Sequence, residues 1–369
     1  MKAAVCRAFG RPLEIEDLEI QAPGPGEVMV RVSATAICHS DISYIDGLWG
    51  GDLPTVYGHE AAGTIEGIGV DVASLKTGQP VVVTLIRSCG QCQFCRDDLP
   101  ALCEASFALD EHGPLRAANG ETVIQGLRTG AFAEYVVVDA SQVTALPDDL
   151  PLDLASLLAC GVLTGWGAVV NSAKLKAGSN VAVIGTGGVG LNSVQAAAWA
   201  GASTIAAVDL SDSKIAAAKD FGATHGINPA QVDAVEVGKS LTGGRGFDCV
   251  LITVGAGPAV EQGLAMLARG GDLVLVGMPA NGVLSTFDPG TIANEGQRLL
   301  GSKMGSGAPT RDIPLLVDLY QRGTLKLEPL VSGRYRLDEI NEAIASVKRG
   351  EALRNVIVFD GRDISGNAQ

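Results

Sequence analysis

The sequence predicts an α/β protein built from a β-rich first part and a doubly wound, parallel-sheet second part. Three observations predict it. The first third is a series of short β-prone segments punctuated by Gly and Pro turns. From about Leu154, apolar strands alternate with Ala-rich amphipathic stretches. One of those strands runs directly into a glycine-rich turn. A length of 369 residues suits about two domains, and a 47% hydrophobic content leaves ample material for buried cores.

In chain order, LEIEDLEI, VMVRVSATAI, QPVVVTLI and AFAEYVVVD read as strands, with APGPGE ending the first. The run NVAVIG, STIAAVD, DCVLIT and DLVLVG, with helical stretches between, predicts a parallel sheet. After about Lys303 a helix, LDEINEAIASVKRG, and a strand, RNVIVF, close the chain. A short polar tail, GRDISGNAQ, reads as frayed.

The glycine-rich turn has a Rossmann signature. Strand Asn180 to Ile184 leads into Gly185-x-Gly187-Gly188-Val189-Gly190, a small-residue helix follows, and a second strand ends at Asp209 about twenty residues on. The glycines permit a tight turn, close approach of a pyrophosphate, and helix-on-strand packing. The helix N-terminus favours the phosphate charge. An acidic side chain at Asp209 accepts hydrogen bonds from ribose hydroxyls and repels a 2′-phosphate, which favours NAD over NADP.

Two sets of metal ligands accompany this turn. Cys89, Cys92, Cys95 and Cys103 put half of the eight cysteines within fifteen residues, at C-x2-C-x2-C-x7-C spacing. Disulfides between such near neighbours would be strained, whereas four converging thiolates make a closed tetrahedral zinc site with no position left for chemistry. Cys38, His59 and Cys160 form a sparser set, the last two beside glycines in YGHEAAG and ACGVLTG. Two thiolates and an imidazole leave a fourth position free, as a catalytic zinc requires.

Composition excludes several classes. A net charge of −14 and a pI near 4.7 disfavour nucleic acid and anionic membranes as partners. The N-terminus lacks an apolar signal core, and eighteen apolar residues never run together, so neither a signal peptide nor a membrane span is expected. Thiol-held metal fits a reducing compartment, so the cytoplasm is the expected location.

Together these motifs resemble the zinc-dependent medium-chain alcohol dehydrogenases, from AAVCRAFG near the start to NVIVF near the end. The resemblance implies a GroES-like catalytic domain over residues 1–161 and 304–369, interrupted by a NAD-binding Rossmann domain over 162–303. It implies two zinc ions per chain: a catalytic one on Cys38, His59 and Cys160, and a structural one on Cys89, Cys92, Cys95 and Cys103. Asp41 matches the carboxylate that orients the ligand histidine, and Glu60 the glutamate that approaches the metal. Ser40 matches the hydroxyl that bonds the substrate oxygen and passes its proton to the nicotinamide ribose. The best-known members carry a histidine where this chain has Ser43; the terminal proton acceptor is then His39, bulk water or another group. His39 and Arg354 match pyrophosphate-binding positions, Thr164 and Val189 pack the nicotinamide, and the backbone of Val276, Gly277 and Met278 holds its carboxamide. Lys214 matches a contact to the adenosine ribose.

The implied activity is hydride transfer between a primary aliphatic or aromatic alcohol and NAD. Trp49, Leu85, Phe107, Leu127 and Phe132 are expected to line an apolar substrate cleft. The stretch from Cys103 to Phe132, more polar than a buried element, frames its entrance. Glutathione-linked formaldehyde dehydrogenases of this superfamily place an acid at Trp49 and an arginine at Phe107, and neither is present. Other thiol adducts, and tightly held NAD recycled by an external acceptor, stay open as alternatives. A non-catalytic NAD-binding protein would lack a ligand or Ser40, and a zinc-free quinone-reductase relative would lack the ligand sets; every position is filled here. Family members assemble as homodimers or homotetramers.

Overall fold

A computed structural model describes residues 1–359; the polar tail expected to fray lies outside the described residues. Two compact units divide the chain: Met1–Cys160 with the segment from Ala308, and Gly161–Gly307. The joins thus fall at 160/161 and 307/308, where the sequence suggested 161/162 and 303/304.

The first unit contains a small closed barrel and a seven-stranded sheet. Strands Lys2–Cys6, Glu14–Ile20, Leu115–Ala117, Thr122–Gln125 and Thr55–Val56 close the barrel around a core including Val5, Leu18, Val56, Leu115, Val123 and Phe132. Two expectations fail here. The 103–132 stretch supplies two barrel strands with Leu115 and Val123 buried, and Phe132 is itself barrel core with no exposure. Each strand mixes polar residues, Arg116, Thr122 and Gln125, with the buried ones, which hid the strands.

In the seven-stranded sheet, Glu27–Ala36 pairs on one side with Ala61–Ile68 and on the other with Arg354–Val358, and it also carries Tyr135–Asp139. Val356 lies opposite Ala36, so the chain's last described strand returns to its first domain. Buried Val28, Val30, Val32, Ile65, Val81 and Val136 form the core beneath.

The second unit is a six-stranded, all-parallel sheet in the order His225–Ile227, Thr204–Val208, Asn180–Ile184, Phe247–Ile252, Leu267–Leu275, Arg298–Gly301. The strand order reverses beside Asn180–Ile184, which puts the glycine turn at the switch point where doubly wound sheets bind ligands. The central strands are near-continuous runs of Val, Ile, Leu and Ala, because helices cover both faces of such a sheet. No single helix among the described residues is long and apolar enough to cross a membrane.

Candidate active site

The side chains of Cys38, His59, Glu60 and Cys160 are buried, and each offers a donor atom within 4.8 Å of the others. All four belong to the first unit. Cys38 immediately precedes the helix His39–Ile45, in extended backbone, so its thiol lies at the helix N-terminus. Asp41, in the first turn and with no solvent exposure, folds back to organise the set. Its carboxylate accepts the Cys38 N–H at 3.1 Å, the Gly58 N–H at 3.0 Å, and the His59 Nδ1 at 2.9 Å.

One carboxylate therefore ties together the backbone of two ligand-bearing segments and selects the His59 tautomer. With Nδ1 engaged, Nε2 is left as the donor. It is buried and has no hydrogen-bond partner. Gly58 makes this possible: its φ is +93°, and a Cβ there would lie 2.6 Å from the backbone nitrogen and Cδ1 of Phe132. No other residue fits without displacing that turn.

The charges suit a site for a cation. The hydrogen bond from Cys160, and then His59, hold the Cys38 thiol well below its ordinary range, despite burial. The same Cys38 contact, with burial, pushes Cys160 well above it. Burial opposes charge on His59, yet Asp41 and Cys38 more than offset this and raise it. A thiolate on either of these adjacent buried sulfurs opposes ionisation of the other, and a divalent cation would let both ionise. That need, the orphaned Nε2 and the two-sulfur, one-nitrogen donor set fit zinc with one position open.

Glu60 is pushed up to about 7, chiefly by burial, against the pull of Arg354. The two form a buried ion pair through Glu60 Oε1 and Arg354 Nη2, with side-chain exposures of 0% and 6%. The family resemblance implies separate roles for these residues, Glu60 toward the metal and Arg354 toward the pyrophosphate. The structure joins them: Arg354 begins the returning strand and faces the donor set from it.

Ser40 and Ser43 are half-buried on the helix His39–Ile45, and His39 is exposed. The four remaining ligand candidates, Cys89, Cys92, Cys95 and Cys103, are half-buried with donor atoms within 4.8 Å of one another. All eight cysteines are free, so none is spent on a disulfide. The Sγ atoms of Cys89 and Cys95 are 4.0 Å apart and those of Cys92 and Cys103 3.9 Å apart. A tetrahedron with Zn–S of about 2.3 Å has edges of about 3.8 Å. Backbone N–H groups already point at sulfur: Gln91 and Cys92 donate to Cys89 at 3.4 and 3.2 Å, and Cys89 donates to Cys103 at 3.4 Å.

In the second unit the three glycines do three different things. Gly185 turns the chain at φ +94°, where a Cβ would strike Val254 at 2.3 Å; Gly190 packs so closely that a Cβ would lie 1.8 Å from the Gly185 carbonyl. A Cβ on Gly187 would meet nothing within 4 Å, which leaves room for a pyrophosphate over the N-terminus of helix Gly188–Trp199. Val189 is half-buried in its first turn.

Asp209, just past strand Thr204–Val208, accepts the Thr186 N–H at 2.7 Å and the Ser211 N–H at 3.0 Å, which sets its carboxylate beside the turn. Lys214 is half-buried on helix Asp212–Asp220. Thr164 is buried, its hydroxyl 3.8 Å from Met304 Sδ. One expectation needs correction: the N–H groups of Val276 and Gly277 both donate to the Ile252 carbonyl, at 2.9 and 2.8 Å, so of these two residues only the carbonyls are left for a carboxamide. Met278 is 66% exposed.

Sequence reasoning missed Gly58, the Glu60–Arg354 pair and the buried Arg87. The last left a signal, a lone cation at the end of the apolar run VVVTLI.

A Rossmann unit joined to a β-barrel unit that carries a buried Cys2His donor set defines a zinc-dependent alcohol oxidoreductase. Known proteins agree. The alcohol dehydrogenase GroES-like domain matches residues 24–148, and the zinc-binding dehydrogenase domain matches residues 188–322. The chain belongs to the zinc-dependent medium-chain alcohol dehydrogenase family. It is 36% identical to the NDMA-dependent alcohol dehydrogenase of Amycolatopsis methanolica, over 97% of this chain and 98% of that one. It is 34% identical to the geraniol dehydrogenase of Castellaniella defragrans, covering 97% of each. The crystal structure of benzyl alcohol dehydrogenase from Acinetobacter calcoaceticus superposes with a TM-score of 0.91 at 35% identity, over 97% of this chain and 99% of that one.

Proposed function

We propose that the protein oxidises primary alcohols to aldehydes, and runs the reverse reaction, with NAD as hydride acceptor. The observation that carries this reading is the buried donor set of Cys38, His59 and Cys160, with His59 Nε2 unpartnered and Nδ1 held by Asp41. When bound, zinc acidifies an alcohol hydroxyl and NAD accepts the hydride. The protein's part is to hold, orient and shuttle. Asp41 fixes the imidazole so that Nε2 faces the two sulfurs. Glu60 and Arg354, paired with each other, stand beside them as buried polar partners. Ser40, in the first turn of the helix that begins at the Cys38 ligand, receives the alcohol proton and hands it on.

NAD is favoured over NADP because the Asp209 carboxylate, held beside the glycine turn by the Thr186 N–H, would repel a 2′-phosphate on the ribose. The substrate class follows from apolar half-buried residues, Trp49, Leu85, Phe107 and Leu127, and is supported by relatives named for geraniol and benzyl alcohol. These alcohols share a hydroxymethyl carbon next to an unsaturated carbon. The second set, Cys89 to Cys103, holds a structural zinc.

The test is reduced-coenzyme formation by zinc-loaded protein across aliphatic, allylic and benzylic alcohols, with NAD and NADP, and with a chelator control. Chelator-sensitive NADH formation from primary alcohols is expected. The NDMA-dependent relative motivates one other form of the reaction, in which NAD stays bound and an external acceptor reoxidises it. In that case NAD co-purifies, free NADH does not accumulate, and a dye acceptor restores turnover. Zinc-loaded protein that oxidises no alcohol with either acceptor would overturn the proposal.

A further inference from the structure

Arg87 is the largest fully buried side chain among the described residues, with 2% exposure, and it lies outside both donor sets. Its guanidinium spans three segments that are remote in sequence. Nε donates to Gln142 Oε1 at 2.8 Å, Nη1 to Asp110 Oδ1 at 2.8 Å, and Nη2 to the Arg128 carbonyl at 3.2 Å. The ring of Phe107 covers the guanidinium, with its centroid 5.4 Å from Cζ. Desolvating a cation this deeply is costly, and only a fork with several fixed acceptors offsets it.

What the fork holds is specific. Asp110 takes Arg87 on one oxygen and the Phe107 N–H on the other, at 3.1 Å, so Phe107 is fixed by both its backbone and its ring. The Arg128 carbonyl, which also accepts Gln142 Nε2 at 3.1 Å, terminates a turn in which Leu127 and Arg128 both have left-handed backbones, at φ 51° and 59°. Non-glycine residues hold such angles only where their surroundings over-determine them, and such strain gathers at functional sites. Phe107 and Leu127 are both half-buried and apolar.

We infer that Arg87 is a positioning residue for alcohol specificity: it sets Phe107 and Leu127 as one wall of the substrate pocket and thereby decides how bulky an alcohol is accepted. The inference rests on the reading that these two residues line that pocket. A side chain displaced from a hydrophobic wall alters discrimination by roughly one methylene's worth of contact, about tenfold or more.

The experiment compares Arg87→Lys, Arg87→Met, Asp110→Asn, Phe107→Ala and Leu127→Ala in the zinc-loaded protein, with ethanol and benzyl alcohol as probes. Arg87→Met and Asp110→Asn should change the benzyl-to-ethanol ratio of kcat/KM by about tenfold. The change should be carried by KM for benzyl alcohol, with zinc content and kcat for ethanol kept. Arg87→Lys retains the charge without the fork and should behave like Arg87→Met, because a point charge cannot reach three acceptors. Asp110→Asn, at a partly exposed site, gives the answer if the Arg87 variants do not fold. An unchanged ratio in the Arg87 and Asp110 variants, while Phe107→Ala or Leu127→Ala shifts it, would overturn the role of Arg87 and leave the pocket reading standing. An unchanged ratio in Phe107→Ala and Leu127→Ala would overturn both.

Discussion

Replacing Asp41 by Asn should weaken the catalytic metal site without touching a ligand. The carboxylate has no solvent exposure and accepts three donors: Oδ2 takes the Cys38 N–H, and Oδ1 takes the Gly58 N–H and His59 Nδ1. An amide has one acceptor oxygen. Whichever way it faces, its NH2 confronts either the Cys38 N–H or the pair formed by Gly58 and His59. Leaving one buried N–H unsatisfied costs about 1–3 kcal/mol. Losing the carboxylate partner of a metal-bound histidine typically lowers metal affinity by about 10–100-fold, or about 1.4–2.8 kcal/mol at 1.4 kcal/mol per tenfold. The two costs fall on one cluster, and the four-thiol set shares none of it. Titration of metal-free protein with zinc against a chromogenic chelator should therefore show one site unchanged and the other weakened by about 10–100-fold. Turnover at limiting zinc should fall in parallel and recover in excess zinc. Two sites of parental affinity in Asp41→Asn would refute the claim that this carboxylate organises the ligand set.

Two further substitutions separate the remaining roles. Cys95→Ser should remove one zinc per chain and lower the melting temperature while turnover measured well below that temperature stays close to the parent's; lost turnover with unchanged stability would reverse the assignment of the two sets. Asp209→Gly removes both the charge proposed to face the ribose and the anchor for the Thr186 N–H; coenzyme titrations should show the NAD-to-NADP preference falling by about tenfold or more, since like-charge juxtaposition costs several kcal/mol. An unchanged preference would move the ribose contact to another residue.

The parts of this molecule that were legible in its sequence are those set by short-range rules. Thiols with two residues between them can converge on one point whatever the rest of the chain does, and the structure brings Cys89, Cys92 and Cys95 together with Cys103. An apolar strand, a glycine turn and a small-residue helix follow from local periodicity, and they form the centre of the parallel sheet. Cys38, His59 and Cys160 come together too, although only their combination with the glycine turn, rather than any one residue's surroundings, suggested it.

Long-range pairing was not legible. Nothing in RNVIVF specifies that Val356 lies opposite Ala36, because a β-prone segment does not encode its partner. The ion pair of Glu60 and Arg354 depends on that pairing and was hidden with it. Phe132 misled for a related reason: an aromatic residue in a loop-like stretch reads equally as pocket wall or core, and barrel closure decides. Arg87 was passed over because a charged residue is usually solvated, and only the three-dimensional convergence of Gln142, Asp110 and Arg128 makes its burial tolerable.

The proposed chemistry requires Cys160 to be a ligand of a catalytic zinc rather than a buried hydrophobe. The measurement that tests this most directly is the zinc content, turnover and NAD affinity of Cys160→Ser beside the parent protein. The variant should lose the zinc of the buried set and keep that of the four-thiol set, bind NAD with parental affinity, and oxidise no alcohol. A variant that keeps the parent's full zinc content and turns over alcohol at the parent's rate would contradict it.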